Sequence, residues 1–230
     1  QRRMMLRKIL FPSILGLVGC GVLVSLGNWQ MERLAWKEGV LADINARLTA
    51  VPVPLSRFVN EQSDEYARVT VSGTPTGEEL HVLVSGTQAG TGYRVISKFE
   101  TDIGAILLDQ GLLPLDAKDA PPMTRSIDVV GTLLWPDDQN DSTPEPDLAE
   151  NIWFARNNAA RAEALGTLPL MVVASQTAPS DPRLTPLPVN TASIKNDHLE
   201  YAVTWYGLAL VWAVMSLYLI YRTTRQKDAP

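Results

Sequence analysis

Two stretches free of charged side chains, Ile9 to Met31 and Tyr201 to Tyr221, lie near opposite ends of the chain. A bilayer core takes about 20 apolar residues of helix at roughly 1.5 Å rise each, so either run is long enough to cross one. Between them the pattern changes to short runs of Val, Ile, Thr and aromatics set apart by Gly, Pro or Asp: Tyr66 to Ser72, Leu80 to Ser85, Tyr93 to Phe99, Ala105 to Asp109 and Ile127 to Leu134. Such runs predict the strands of an antiparallel sheet or small barrel. Ala-rich Asn157 to Leu165, stopped by Gly166, predicts a short helix, and Pro169 to Ala174 a last strand. The expected class is an α+β membrane protein in which two transmembrane helices flank a β-rich, barrel-like domain.

Charge adds a direction to this plan. Arg2, Arg3, Arg7 and Lys8 precede the first span, and Arg222, Arg225 and Lys227 follow the second. The positive-inside rule then places residues 1–8 and 222–230 in the cytoplasm, spans at 9–31 and 201–221, and the domain 32–200 outside. That domain holds 13 of the 20 basic residues but 24 of the 25 acidic ones, which argues against a nucleic-acid partner. A basic segment before an apolar core also describes a signal peptide, and Leu17-Val18-Gly19-Cys20 resembles a lipoprotein processing site. The residues after Cys20 stay apolar through Leu26, so the expectation is an uncleaved anchor. Cys20, the single cysteine, has no partner within the chain for a disulfide.

Two stretches read as connections. Asp137 to Asp147 is rich in oxygen donors but lacks the ligand alternation and central glycine of a calcium loop, and is expected to be a solvated surface loop. Gln176 to Asn190 carries Pro179, Pro182, Pro186 and Pro188 and is expected to run extended back to the membrane. The domain offers no catalytic set, phosphate loop or Cys/His metal spacing, so the chain is not expected to be an enzyme. His81, in a strand-like run, reads as structural.

The outer ends of the spans hold more chemistry. Asn196 and Asp197 are candidate caps for a helix opening at His198, and His198, Ala202, Trp205, Ala209, Trp212 and Ser216 then fall on one stripe. An imidazole at the membrane edge above small residues and flat aromatics suits an axial ligand to a haem iron whose ring packs on the helix. An ordinary interfacial aromatic belt has the same composition. If the first helix continues outward, Trp29, Arg33 and Trp36 share a face, with the guanidinium between two indoles. Topology then sets Arg33 near His198, where it could pair with a carboxylate such as a haem propionate.

These motifs also carry a family resemblance. Gly27-Asn28-Trp29-Gln30 with Arg33 and Trp36-Lys37, then Gly92-Tyr93-Arg94-Val95-Ile96, Trp153-Phe154-Ala155-Arg156-Asn157, and Asn196-Asp197-His198-Leu199-Glu200-Tyr201 through Gly207 resemble the Surfeit locus 1 family of cytochrome c oxidase assembly proteins. Where that family usually has Asn-Arg-Gly-Trp-Val-Pro, this chain has Asp109-Gln110-Gly111-Leu112-Leu113-Pro114. The resemblance implies a maturation factor that assists haem a delivery to the catalytic subunit of an aa3-type oxidase in a bacterial inner membrane. It implies His198 as the haem-associated histidine and Trp205 as the tryptophan of the same motif. Arg33 joins them as a candidate haem contact, and Trp29, Gln30, Trp36 and Tyr201 as candidate partner contacts. The alternative function is a structural subunit retained stoichiometrically in the mature oxidase.

Overall fold

The structure is a computed structural model that describes residues 2–87, 89–136, 139–155, 157–192 and 194–225, with side chains from residue 10 onward. The side chains of Arg2, Arg3, Arg7 and Lys8, and the residues Asp137, Asp138, Arg156 and Lys227, named above, lie outside that description. The chain forms two compact units, one of Gln1–Asp43 with Ala192–Pro230, the other of Ile44–Thr191.

The first unit is helical. Helix α1 (Arg2–Thr49) is continuous for 48 residues, because the polar stretch after Met31 is built of helix formers such as Glu, Ala, Leu, Lys and Arg. It ends where the Thr49 hydroxyl turns back to the Asn45 carbonyl at 2.8 Å. The last helix of the chain, α4, covers His198–Arg225. Both are long and apolar enough to cross a membrane.

Small residues of α1 receive large ones of α4. A Cβ on Gly19 would sit 2.2 Å from the Trp212 indole nitrogen, one on Gly27 2.5 Å from the Tyr206 ring, and one on Gly16 2.9 Å from Ser216. The order of these contacts makes the helices antiparallel, and the missing side chains let them approach. The Cys20 thiol faces the Ala209 carbonyl at 3.8 Å, and the Tyr206 hydroxyl donates to Asn28 Oδ1 at 2.7 Å. Ala202 and Ala209 are buried on this face.

The second unit is a sheet. Its elements are β1 (Val53–Pro54), a helical turn α2 (Glu61–Asp64), β2 (Arg68–Thr87), β3 (Gly90–Thr101), β4 (Gly104–Pro114), β5 (Ile127–Leu134), β6 (Ile152–Trp153), α3 (Asn158–Leu165) and β7 (Met171–Ala178). Strand β2 joins the two runs expected to be separate, through an irregularity between Pro75 and Glu79 that bends the strand without ending it. Its first part pairs with β5 and the rest with β3. The ladders β2–β3, β3–β4, β4–β7, β7–β5 and β5–β2 close a circuit. The sheet is mixed rather than antiparallel, because β7 follows the α3 crossover and enters parallel to β4.

Strand β4 explains why simple alternation fails here. Ile106 and Leu108 join one core with Val69, Phe99 and Val172, while Leu107 between them joins a second core with Val82, Ile96, Met171 and Leu165 of α3. Both faces of the strand are therefore covered, and Ile106 through Leu113 are all buried. Helix α3 starts at Asn157, whose side chain accepts from the Ala160 amide, and ends at Gly166 in the left-handed region (φ 62°).

Candidate functional site

Helix α4 opens at His198, so the imidazole stands in its first turn. Facing it from α1 is Gln30, a buried polar residue on an otherwise apolar stripe. The Gln30 side-chain oxygen lies 2.7 Å from His198 Nδ1. The other ring nitrogen, Nε2, meets no hydrogen-bond partner among the described residues, and the residue is half-buried. Two residues earlier, the Asn196 side-chain oxygen is buried without a partner among the described residues.

The structure separates the other expected site residues into two groups. The Arg33 guanidinium lies 4.5 Å from the centroid of the Trp36 ring, and among the described residues it stacks on that ring alone, not between two indoles. Trp29 and Trp36 are about half exposed, as is Tyr201, which leaves these three as surface groups. Arg33 follows Gln30 by one helical turn and makes no ion pair among the described residues.

The stripe expected to back a porphyrin has a different occupant. Ala202, Ala209, Trp212 and Ser216 face α1, where the glycines leave room for them. Close helix packing takes this face because two apolar helices bury it at no polar cost. Trp205 is only half-buried and remains available.

In the sheet unit, chemistry-bearing residues serve structure. The Arg94 guanidinium donates to the Asp109 carboxylate through Nε and to the Leu187 carbonyl at 2.7 Å. Asp109 also accepts from the Gly111 amide at 3.1 Å. Gln110 donates to the Ser97 hydroxyl at 2.6 Å. Gly111 has φ 109°, and a Cβ there would lie 2.3 Å from the Thr185 carbonyl oxygen. The proline-bearing segment is thus clamped, with Leu112 and Thr185 exchanging both backbone hydrogen bonds.

His81 is buried and lies 3.1 Å from Glu79, which also takes two contacts of 3.3 Å from Arg183, itself bound to Asp181. Burial works against the Glu79 charge, but hydrogen bonds from His81 and Arg183 outweigh it and hold the carboxyl below its usual range. For Arg183 burial is likewise outweighed by Asp181 and Glu79, and its affinity for the proton rises. A concavity of about 540 Å³ runs along β2, β5 and β7 past Thr70, Ser72, Asp128 and Gln176, and none of the candidate residues lines it.

The pairing of Gln30 with His198 was not expected from the sequence, which placed Gln30 among candidate partner contacts. Its signal was present. Gln30 continues the spacing of Gly16, Leu23 and Gly27, the inward positions of α1, so a polar side chain there needs a polar partner.

Similarity to known proteins bears on this same arrangement. The SURF1 family model matches residues 17–210. Surfeit locus protein 1 of Homo sapiens is 30% identical over 219 residues, covering 80% of this chain and 69% of its relative. The frog protein of that name, from Xenopus tropicalis, is 29% identical over 80% of this chain and 67% of its own. A SURF1-like protein of Rickettsia felis is 28% identical over 91% of this chain and 96% of its own. The match runs from within the first span, through the whole sheet unit, past His198 into the second span, and the chain belongs to the SURF1 family.

Proposed function

We propose that this chain is a membrane-anchored maturation factor for an aa3-type cytochrome c oxidase that assists haem a delivery to the catalytic subunit. Family membership supports the assembly role. The observation that carries the haem reading is His198, whose Nε2 has no hydrogen-bond partner among the described residues while Nδ1 is held at 2.7 Å. A ligating histidine ordinarily has its second nitrogen anchored in this way. When haem is bound, His198 would hold it through one imidazole nitrogen, and the group would supply an iron able to accept that nitrogen.

The residues present suit such cargo at the mouth of the helix pair rather than along it. His198 offers the nitrogen, Arg33 a cation for a propionate, and half-buried Trp205 an aromatic surface. One half-buried histidine, with no cluster of further metal-ligating side chains among the described residues, favours reversible holding, as a carrier requires. Neutral imidazole is the ligating form, so protonation opposes binding. Two apolar helices support membrane association, and the basic residues outside them favour cytoplasmic termini with the sheet unit outside a bacterial inner membrane. The partners are then the lipid bilayer and the haem-bearing oxidase subunit, and the chain performs no bond chemistry of its own.

The test is to purify the full chain from cells that make haem a and record spectra of wild type and His198→Ala. Haem in the wild type and its loss in the variant is the expected outcome. Equal haem in both, or none in either, overturns the ligand assignment. Asp109 and Gln110, where the family motif is altered, are both buried with partners inside the sheet unit, so the alteration does not favour a retained stoichiometric subunit.

A further inference from the structure

We infer that Gln30 is a positioning residue that fixes the tautomer of His198 and so selects Nε2 as the ligating nitrogen. The inference rests on the haem reading above for its purpose, but its structural content stands by itself. Neutral imidazole has one N–H donor and one lone pair, and the two nitrogens exchange these roles unless a neighbour decides. Here the neighbour is the Gln30 side-chain oxygen, an acceptor with no proton to give, 2.7 Å from Nδ1. The hydrogen bond requires the proton on Nδ1. Nε2 is left with its lone pair.

Burial makes this choice firm. Gln30 is 8% exposed, so releasing the pair would leave a buried amide oxygen unmatched, at a cost of about 1–3 kcal/mol. That is enough to favour one tautomer by roughly five- to a hundredfold. Gln30 and His198 are 168 residues apart in sequence and lie on different helices. The tautomer is therefore specified only when α1 and α4 are packed together. A separated α4 presents an imidazole that nothing holds in the Nδ1–H form, so helix pairing and ligand readiness are one event.

Nitrogen NMR of histidine-labelled full chain in lipid nanodiscs, at mildly alkaline pH and without haem, reads the tautomer directly. In wild type we expect His198 with a protonated Nδ1 and a bare Nε2. Gln30→Leu should abolish that preference, and Gln30→Glu, which keeps an acceptor, should retain it even if leucine disturbs the helix pair. A proton on Nε2 in wild type, or an unchanged tautomer in Gln30→Leu, overturns the inference. Titration with ferric protoporphyrin then separates this inference from the haem reading. Gln30→Leu should weaken binding about ten- to a hundredfold, and His198→Ala should remove the imidazole-ligated spectrum. Should wild type and His198→Ala bind alike, the haem reading fails while the NMR result still decides the role of Gln30.

Discussion

Replacing Asp109 with alanine tests whether the clamp on the proline-bearing segment is as central as its geometry implies. The Asp109 side chain is 0% exposed and that of Arg94 14%, so the pair is cut off from solvent. Truncation removes the carboxylate partner of the Arg94 guanidinium, which keeps the Leu187 carbonyl, and the side-chain acceptor of the Gly111 amide. Breaking a buried pair from one side costs about 3–5 kcal/mol. For a domain of this size that lowers the melting temperature by roughly 6–20 °C. Arg94→Leu should cost as much, because it strands the carboxylate. The double variant Arg94→Leu/Asp109→Ala should recover much of the loss, since an apolar pair leaves no charge to desolvate. Circular dichroism melts of the full chain in detergent measure all three. Additive losses in the double variant, or a loss under about 1 kcal/mol for Asp109→Ala, would show that the pair behaves as a solvated surface bridge.

Three further outcomes follow from other contacts. Gly111→Ala should cost at least about 1–3 kcal/mol in the same melts, because φ 109° excludes a side chain and the Thr185 carbonyl blocks the space. Glu79 is held below its ordinary value of 4.5, so folded protein binds fewer protons there than unfolded. Its contribution is complete above pH 4.5 and is lost as pH falls through the lower folded value; Glu79→Gln should flatten that part of the stability curve. At the helix pair, Gly19→Leu drives a side chain into Trp212, an overpacking worth about 1–3 kcal/mol. It should lower the melting temperature of the helix pair in detergent, and Trp212→Ala added to it should restore part of the loss.

Much of the sheet was legible because its strands carry local signals. Ile127 to Leu134 is the whole of β5, and the helix after Asn157 stops at Gly166 as its cap chemistry predicts. Pro75 and Gly77 read as a strand end, yet the chain bends at a bulge and continues, since pairing with β3 on both sides of the bend holds it. The parallel entry of β7 was out of reach, because it depends on where the α3 crossover delivers the chain. The start of the last helix at His198 was legible from the candidate caps Asn196 and Asp197 before it. The partner of His198 was not, because a hydrogen bond spanning 168 residues has no local trace. Arg94 stood out as part of a motif, but its role came only with Asp109 fifteen residues on.

The closed circuit of β2, β3, β4, β7 and β5 also limits how another protein can be recognised. An open sheet recruits partners by lending them an edge, with backbone amides doing the binding and side chains only choosing register. Here β3 is paired along both sides, and short β6 and the Leu112–Thr185 bridge occupy parts of what would otherwise be open borders. In the assembly role proposed above, recognition would then fall to side chains on loops and outer faces of the described residues. Those positions tolerate exchange without unfolding the domain, so relatives only about 30% identical can keep one scaffold while their surfaces differ.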